Sequence, residues 1–300
     1  MDKRKRVIAL GFFDGVHAAH SALLCRAAER AAELGAVPAA ITFDRFPKAM
    51  QRGESVPLIN TPEDRGWLMR EYCGIEEIVV LEFDQALMEL PWDRFVTDIL
   101  AERFGAVHVV AGHDYHFGYK GQGNPQKLRE LCGELGIGCD IIERVELDGI
   151  TVSSTHIRSL LEAGKLEEAE RFLGHPHILS GQVISGRRLG RTLGIPTANL
   201  ALPDEAVKLP HGVYACKAIV AGKTYLAVTN IGNRPTVNGH RITVEPWLLD
   251  FDGDLYGEHL TLSFHCFLRA EVKFPSLDAL KEEILKNAAQ TRKFFENNTK

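Results

Sequence analysis

The sequence predicts two domains in series, an α/β domain on a parallel sheet followed by a small antiparallel β-barrel with a final helix. Three patterns predict this. Up to residue 174, short apolar runs alternate with helical stretches, as strands joined by crossover helices do. After residue 178, runs rich in Val, Ile, Tyr and Thr recur between turn signals with no helix among them. From Ser276 to about Phe295 a helical period returns, with Leu277, Leu280, Ile284 and Leu285 apolar. The 300 residues suffice for two cores, and the expected domains are 1–174 and 178–300.

Each element has its own warrant. Val7–Phe12 is a continuous apolar run, suited to a strand buried on both faces. A helix follows with Leu23, Leu24, Ala27, Ala28, Ala31 and Leu34 on one side, ended by Gly35. Val37–Phe43, Glu77–Leu81, Val107–Ala111 and Cys139–Glu143 read as further strands. Arg65–Tyr72, Trp92–Phe104 and Pro125–Leu135 read as the helices between them. Two short helices, Ile157–Ala163 and Leu166–Leu173, lead to a His175-Pro176-His177 linker. The barrel strands are expected at 178–184, 212–220, 224–231, 242–251 and 259–267, and the tail ENNTK is expected to fray.

Composition narrows the classes. Hydrophobic residues at 45% and charged residues at 25% suit a soluble globular chain. A net charge of −5 argues against a general nucleic-acid binder. The six cysteines form no CxxC and no zinc spacing, so reduced thiols in a cytoplasmic protein are expected. The start, MDKRKRVIALGFF, has a basic head but too short an apolar run for a signal peptide, and no run is long enough to cross a bilayer.

Two stretches carry chemistry. Gly181–Leu200 holds Gly181, Gly186, Gly190 and Gly194, the basic Arg187, Arg188 and Arg191, and then Thr197 and Asn199. Glycines let backbone N–H groups approach an anion, arginines add charge, and Thr and Asn oxygens suit Mg²⁺. A polyphosphate with its metal would satisfy all three, and so would a tight turn with a basic solvated face. His17 and His20 lie where a strand meets a helix; on one helical turn they would suit a phosphate. The other readings are one histidine capping and one packing, or zinc, for which no third ligand stands at a usual spacing. Gly112–Gly118 also follows a strand, where ligands bind in parallel sheets.

Gly11-Phe12-Phe13-Asp14-Gly15-Val16-His17 with His20 resembles the nucleotide-binding signature of the HxGH nucleotidyltransferases, in its flavin version. Gly112-His113-Asp114-Tyr115-His116-Phe117-Gly118 and Val152–Arg158 are similar to two later stretches of that family. Gly181–Asn199 resembles the signature of riboflavin kinases, and Gly212–Ala215, Asn230–Thr236 and Val244-Glu245 follow in that family's order. Roughly 7–295 therefore resembles the bacterial bifunctional riboflavin kinase/FAD synthetases.

The resemblance implies a Rossmann-like nucleotidyltransferase domain followed by a riboflavin kinase barrel. It implies phosphorylation of riboflavin to FMN and adenylylation of FMN to FAD, each with ATP and Mg²⁺. In the kinase half, Gly186, Arg187, Gly190 and Arg191 would cradle phosphates, Thr197 and Asn199 would hold Mg²⁺, and Glu245 would be the base. Alternation leaves open which face of the sheet Glu245 takes. Arg269 and the final helix would help hold the flavin. In the other half, His17, His20 and Arg158 would stabilise developing charge. Gly11, Phe12, Asp14, Gly15, Asp114, Ser154 and Thr155 would contact the nucleotide and its phosphates. The sequence departs from the family at Ala19 (a glycine there), at Thr42–Pro47 (no middle proline or histidine), at His156 (commonly arginine) and at Asn287 (an acid expected). Two competing readings are a riboflavin kinase with a degraded α/β domain and a non-catalytic flavin- or nucleotide-binding regulator. The expected partners are riboflavin, FMN and ATP, without nucleic acid or membrane, and the expected state is a monomer or weak homo-oligomer.

Overall fold

Arg6 and the four apolar residues after it, Arg6–Leu10, form β1, buried along its whole length in the computed structural model, which describes residues 4–46, 56–184, 194–201, 205–236 and 239–298. β1 feeds α1 (Ala18–Leu34), which buries Leu23, Leu24, Ala27 and Ala31. Gly35 ends that helix in the left-handed region at φ 57°, where its N–H reaches back to the Ala31 carbonyl. Then come β2 (Val37–Phe43), α2 (Pro62–Cys73), β3 (Glu77–Leu81) and the short α3 (Gln85–Glu89). α4 (Trp92–Arg94) runs into a π-helical stretch, Phe95–Arg103, where the helical period predicts a plain α-helix. The wider turn sets Phe95, Val96 and Leu100 together in the core. β4 (Ala106–Gly112), α5 (Pro125–Glu134), β5 (Gly138–Ile142) and a small hairpin, β6 (Glu146–Leu147) with β7 (Ile150–Thr151), follow.

β1 to β5 make one parallel sheet in the order β3-β2-β1-β4-β5. The order reverses between β1 and β4, and this is the crevice where such sheets take ligands. The sequence placed both Gly11–His20 and Gly112–Gly118 after strands; the topology makes those two strands neighbours.

A second unit begins with α6 (Ser154–Glu162) and α7 (Leu166–Leu173), which buries Leu166, Ala169, Phe172 and Leu173. Its strands are β8 (His177–Gln182), β9 (Leu200–Ala201), β10 (Gly212–Val220), β11 (Lys223–Thr236), β12 (Gly239–Leu248) and β13 (His259–Ala270). They form an antiparallel sheet in the order β8-β13-β10-β11-β12-β9. The sheet curls until its edges meet: Val183 bridges Leu200, and the Ile184 N–H donates to the Asn199 carbonyl at 2.8 Å.

The last helix, α8 (Leu277–Asn297), is capped by Ser276, whose hydroxyl accepts the Ala279 N–H at 3.2 Å. Its seam differs from the expected leucine stripe. Leu277 is 60% and Leu285 49% exposed, while Asn287, Ala288 and Thr291 are buried. Ala288 packs with Val213, Val228 and Leu249, and the polar Asn287 is kept inside by a partner on β13.

Contacts divide the chain into Met1–Val56 with Arg65–Ser154, and Pro57–Asp64 with Thr155–Lys300. Pro57–Asp64 thus belongs with the barrel strands. The Leu58 N–H donates to the Glu205 carbonyl at 2.7 Å, the Val207 N–H to Leu58 at 2.8 Å, and the Asn60 amide to the Ile178 carbonyl at 3.2 Å. The Ser180 hydroxyl closes the set on the Asp64 carboxylate. All six cysteines are unbridged, and among the described residues no helix is long and apolar enough to cross a membrane.

Candidate active site

The turn after β1 is tightly wound. Phe13 (φ 58°), Gly15 (φ 86°) and Val16 (φ 40°) all take positive φ, and Phe13 and Val16 are fully buried. Non-glycine residues hold such angles only where packing over-determines them. Gly11 is required by contact, since a Cβ there would stand 2.9 Å from the Phe13 ring.

His17 ends this turn as the N-cap of α1, and its Nδ1 accepts the His20 N–H at 3.3 Å. The two imidazoles stack with centroids 3.6 Å apart and planes within 12°. Burial, then His17 and Arg65, hold His20 well below the usual imidazole range. Two imidazolium ions so close would repel, and the His17 Nδ1, which accepts the His20 N–H, carries no proton. The His20 Nδ1 is buried without a hydrogen-bond partner. The capping reading of His17 and the one-turn reading of the pair therefore hold together. Among the described residues no three His, Cys, Asp or Glu side chains gather as a metal cluster. Ala19 lies in the first turn of α1, where an alanine methyl suits the helix better than glycine does.

Around the turn, Asp14 is buried and the Ser154 hydroxyl donates to its carbonyl at 2.9 Å. Ser154 opens α6, and Thr155 and Arg158 follow on the same helix. His156 packs edge-on against Phe172, with centroids 4.7 Å apart. Asp114 is exposed just beyond β4, and its carbonyl meets the His116 Nδ1 at 2.9 Å.

Sequence reasoning placed Arg65 on a helix and no further. It is 1% exposed, with its guanidinium 4.3 Å over the Phe12 ring. It donates to the Phe12 carbonyl at 2.5 Å, the Thr42 hydroxyl at 3.3 Å and the Phe43 carbonyl at 3.3 Å. Burial lowers its pKa to about 10, against the opposing pull of Asp14. Its spacing to Leu68 and Met69, both fully buried, was the available signal: a cation at i, i+3, i+4 on an apolar face.

In the barrel unit, β9 pairs with β12 through Leu200–Val244 and Ala201–Thr243. The Ala198 N–H then donates to the Pro246 carbonyl at 2.9 Å. This register sets Asn199 opposite Glu245, with Thr197 two residues further along the same strand direction. Across the other edge, Glu245 pairs with Asn230 of β11. The face left open by alternation is decided: Val244 is fully buried, and Glu245 shares the opposite face with Trp247, which packs on the cluster that includes Ala288 of α8. Asn199 is buried and Thr197 half-buried. Gly186, Arg187, Gly190 and Arg191 lie outside the described residues.

Arg269 reaches from β13 to α8. Its Nε donates to the Asn287 side-chain oxygen at 3.1 Å and lies 3.6 Å from Glu283, and Nη1 donates to the Ala270 carbonyl at 3.1 Å. Asn287, found where an acid was expected, is thus an acceptor for Arg269, and Glu283 one turn earlier supplies the negative charge.

A parallel sheet with stacked histidines at its switch point, and in the second unit a curled barrel sheet whose register sets Asn199 opposite a carboxylate, define a two-part nucleotide-dependent transferase. Comparison with known proteins makes this specific. Residues 1–156 match the FAD synthetase family and residues 173–295 the riboflavin kinase family. The bifunctional riboflavin kinase/FMN adenylyltransferase of Pseudomonas fluorescens is 39% identical, over 97% of this chain and 93% of that protein. Its counterpart from Bacillus subtilis is 33% identical, over 99% and 94%. A crystal structure from Streptococcus pneumoniae, titled a macrolide-efflux protein, shares the fold with a TM-score of 0.82 and 28% identity, over 97% of this chain and 95% of that one. The chain belongs to the bifunctional riboflavin kinase/FMN adenylyltransferase family. It phosphorylates riboflavin to FMN and adenylylates FMN to FAD, with ATP and a divalent metal as the family's chemistry requires. The kinase-only and non-catalytic readings are set aside by this membership.

Proposed function

We propose that the kinase chemistry is carried by Thr197, Asn199 and Glu245 of the barrel unit, and adenylyl transfer by the Gly11–His20 turn of the sheet unit. The register that sets Asn199 opposite Glu245 is the observation that supports this most directly. A carboxylate acts as a base only when a proton-bearing substrate atom can sit between it and the phosphate donor. Glu245 takes the proton of the riboflavin 5′-hydroxyl as that oxygen attacks the γ-phosphorus, and ADP leaves. Phosphoryl transfer asks mainly for positioning and charge neutralisation. Thr197 and Asn199 offer oxygen donors of the hard type, so Mg²⁺ is the ion they would hold, and when bound it neutralises phosphate charge. The sequence assigns Gly186, Arg187, Gly190 and Arg191 to the same phosphates, and Arg269 with α8 to the flavin.

In adenylyl transfer an FMN phosphate oxygen attacks the α-phosphorus of ATP, and pyrophosphate leaves without an enzyme nucleophile. Charge gathers on the phosphate oxygens, so donors fixed in advance do the catalytic work. Each neutral imidazole of His17 and His20 has one N–H to give. Gly11, Phe12, Asp14, Gly15 and Asp114 shape the nucleotide's bed. Ser154, Thr155 and Arg158 keep their sequence-based assignment to phosphate oxygens. A cytoplasmic place, where ATP and reduced thiols coexist, suits both reactions.

A split assay tests the division. Glu245→Gln is expected to abolish FMN formation from riboflavin by about a hundredfold or more while FAD formation from supplied FMN persists. His17→Ala and His20→Ala are expected to do the reverse. Chromatographic separation of riboflavin, FMN and FAD reads both, and an E245Q enzyme still making FMN would refute the assignment of the base.

A further inference from the structure

Among the described residues two arginines are almost fully buried, and they differ in how their charge is met. Arg6 lies 2.9 Å from Glu77. Among the described residues Arg65 has no carboxylate within ion-pair distance, and Asp14 acts on it only at longer range; its partners are two carbonyls, one hydroxyl and an aromatic ring, and its Nε has none. A buried charge with no carboxylate in direct contact costs the fold its hydration without the return of an ion pair. The same carbonyls could be satisfied by a neutral donor. The position is also particular, because Phe12 lies two residues past β1, just before the strained turn, while Thr42 and Phe43 end the neighbouring β2. The Phe12 carbonyl accepts from both Arg65 and the Thr42 hydroxyl, the latter at 2.9 Å. Arg65 therefore ties two strand ends together directly at the base of the turn that carries His17 and His20.

We propose that Arg65 is a positioning residue for adenylyl transfer: it anchors the Phe12 carbonyl so that the turn presents His17 and His20 in fixed geometry, and its charge, in direct contact with no carboxylate among the described residues, favours the anionic substrates that arrive there. This rests on the reading of Gly11–His20 as the adenylyl site. A guanidinium suits the task because its planar fork reaches several acceptors at once while keeping its charge at any working pH. The charge is also felt more strongly in a dry interior than it would be in water.

The test uses the full chain with Arg65→Met, Arg65→Lys and His20→Ala. R65M is expected to lower kcat for FAD formation at least about tenfold with KM for ATP within about threefold, since fixed charge and geometry act mainly in the transition state. FMN formation from riboflavin should be unchanged in all three. R65K keeps the charge without the fork and is expected to lie between wild type and R65M in kcat for FAD formation. A folded R65M with wild-type kcat overturns the proposal, and so does a folded R65K as impaired as R65M. Should R65M lose its cooperative melt, R65K decides alone: a kcat for FAD formation lowered but above that of H20A supports the proposal, and a wild-type kcat or a loss equal to that of H20A overturns it. If H20A also leaves FAD formation intact, the site reading itself has failed; if H20A abolishes it while R65M does not, only the role of Arg65 falls.

Discussion

Gly11 shows how a single residue sets the adenylyl turn. The Phe13 ring fills the space where a side chain would begin, and Phe13 is itself buried at a positive φ, so it has little room to retreat. Gly11→Ala is expected to cost about 1–3 kcal/mol by overpacking. A thermal melt of the protein and the FMN-to-FAD rate should both fall, with riboflavin phosphorylation spared. At this scale the sequence was informative where chemistry repeats as a motif. His17, His20, Glu245 and Asn199 could be named because they stand in stretches that resemble the family's motifs. Arg65 could not, because its value comes from burial, and burial depends on how α2 lies against the ends of β1 and β2. Nor could Glu245's face be chosen, since alternation gives two sides and only the partner strands say which is which.

The elements were legible to within a few residues, because apolar runs and helical periods are local. The exceptions have tertiary causes. The π-helical stretch after Trp92 follows from what it must pack, and β9 is two residues long and exists through its pairing with β12. The seam of α8 is the larger departure. Its exposed leucines misled the periodicity, and its buried Asn287 answers a cation on another element. Arg269→Met should leave the Asn287 oxygen without its donor and loosen α8, at about 1–3 kcal/mol. The expected result is a lower melting temperature with a raised KM for riboflavin, while FAD formation from FMN keeps its kcat.

The whole chain should respond to acid through its buried histidines, His20 of the sheet unit and His177 and His265 of the barrel unit among them. His177 is held down to about 3 by burial and then by His175, and His265 to about 4 by burial and then by Lys217. The unfolded chain binds their protons near 6.5 and the folded one does not, so stability is full above that pH and declines as pH falls toward 4. Each histidine accounts for about 1.4 kcal/mol per pH unit across that window, or about 2 kcal/mol at pH 5. Asp64, raised by burial beside the same cavity as His177, works in the opposite direction as acid protonates it. Urea midpoints at pH 7.5, 6 and 5 should therefore fall, and His177→Phe should flatten part of the slope.

Pro57–Asp64 gives the molecule a property that neither reaction reveals. In chain order this strip lies inside the half that matches the FAD synthetases, yet it belongs to the barrel unit and hydrogen-bonds to Ile178, Glu205 and Val207 there. A gene cut between the two matched regions would make a kinase fragment that lacks part of its own wall. The Ile178 and Glu205 carbonyls and the Val207 N–H would lose their donors and acceptor, and Ile59 would no longer fill its place beside Phe264. The two activities are thus held to one reading frame by eight residues, and a working split would have to carry that strip across the cut.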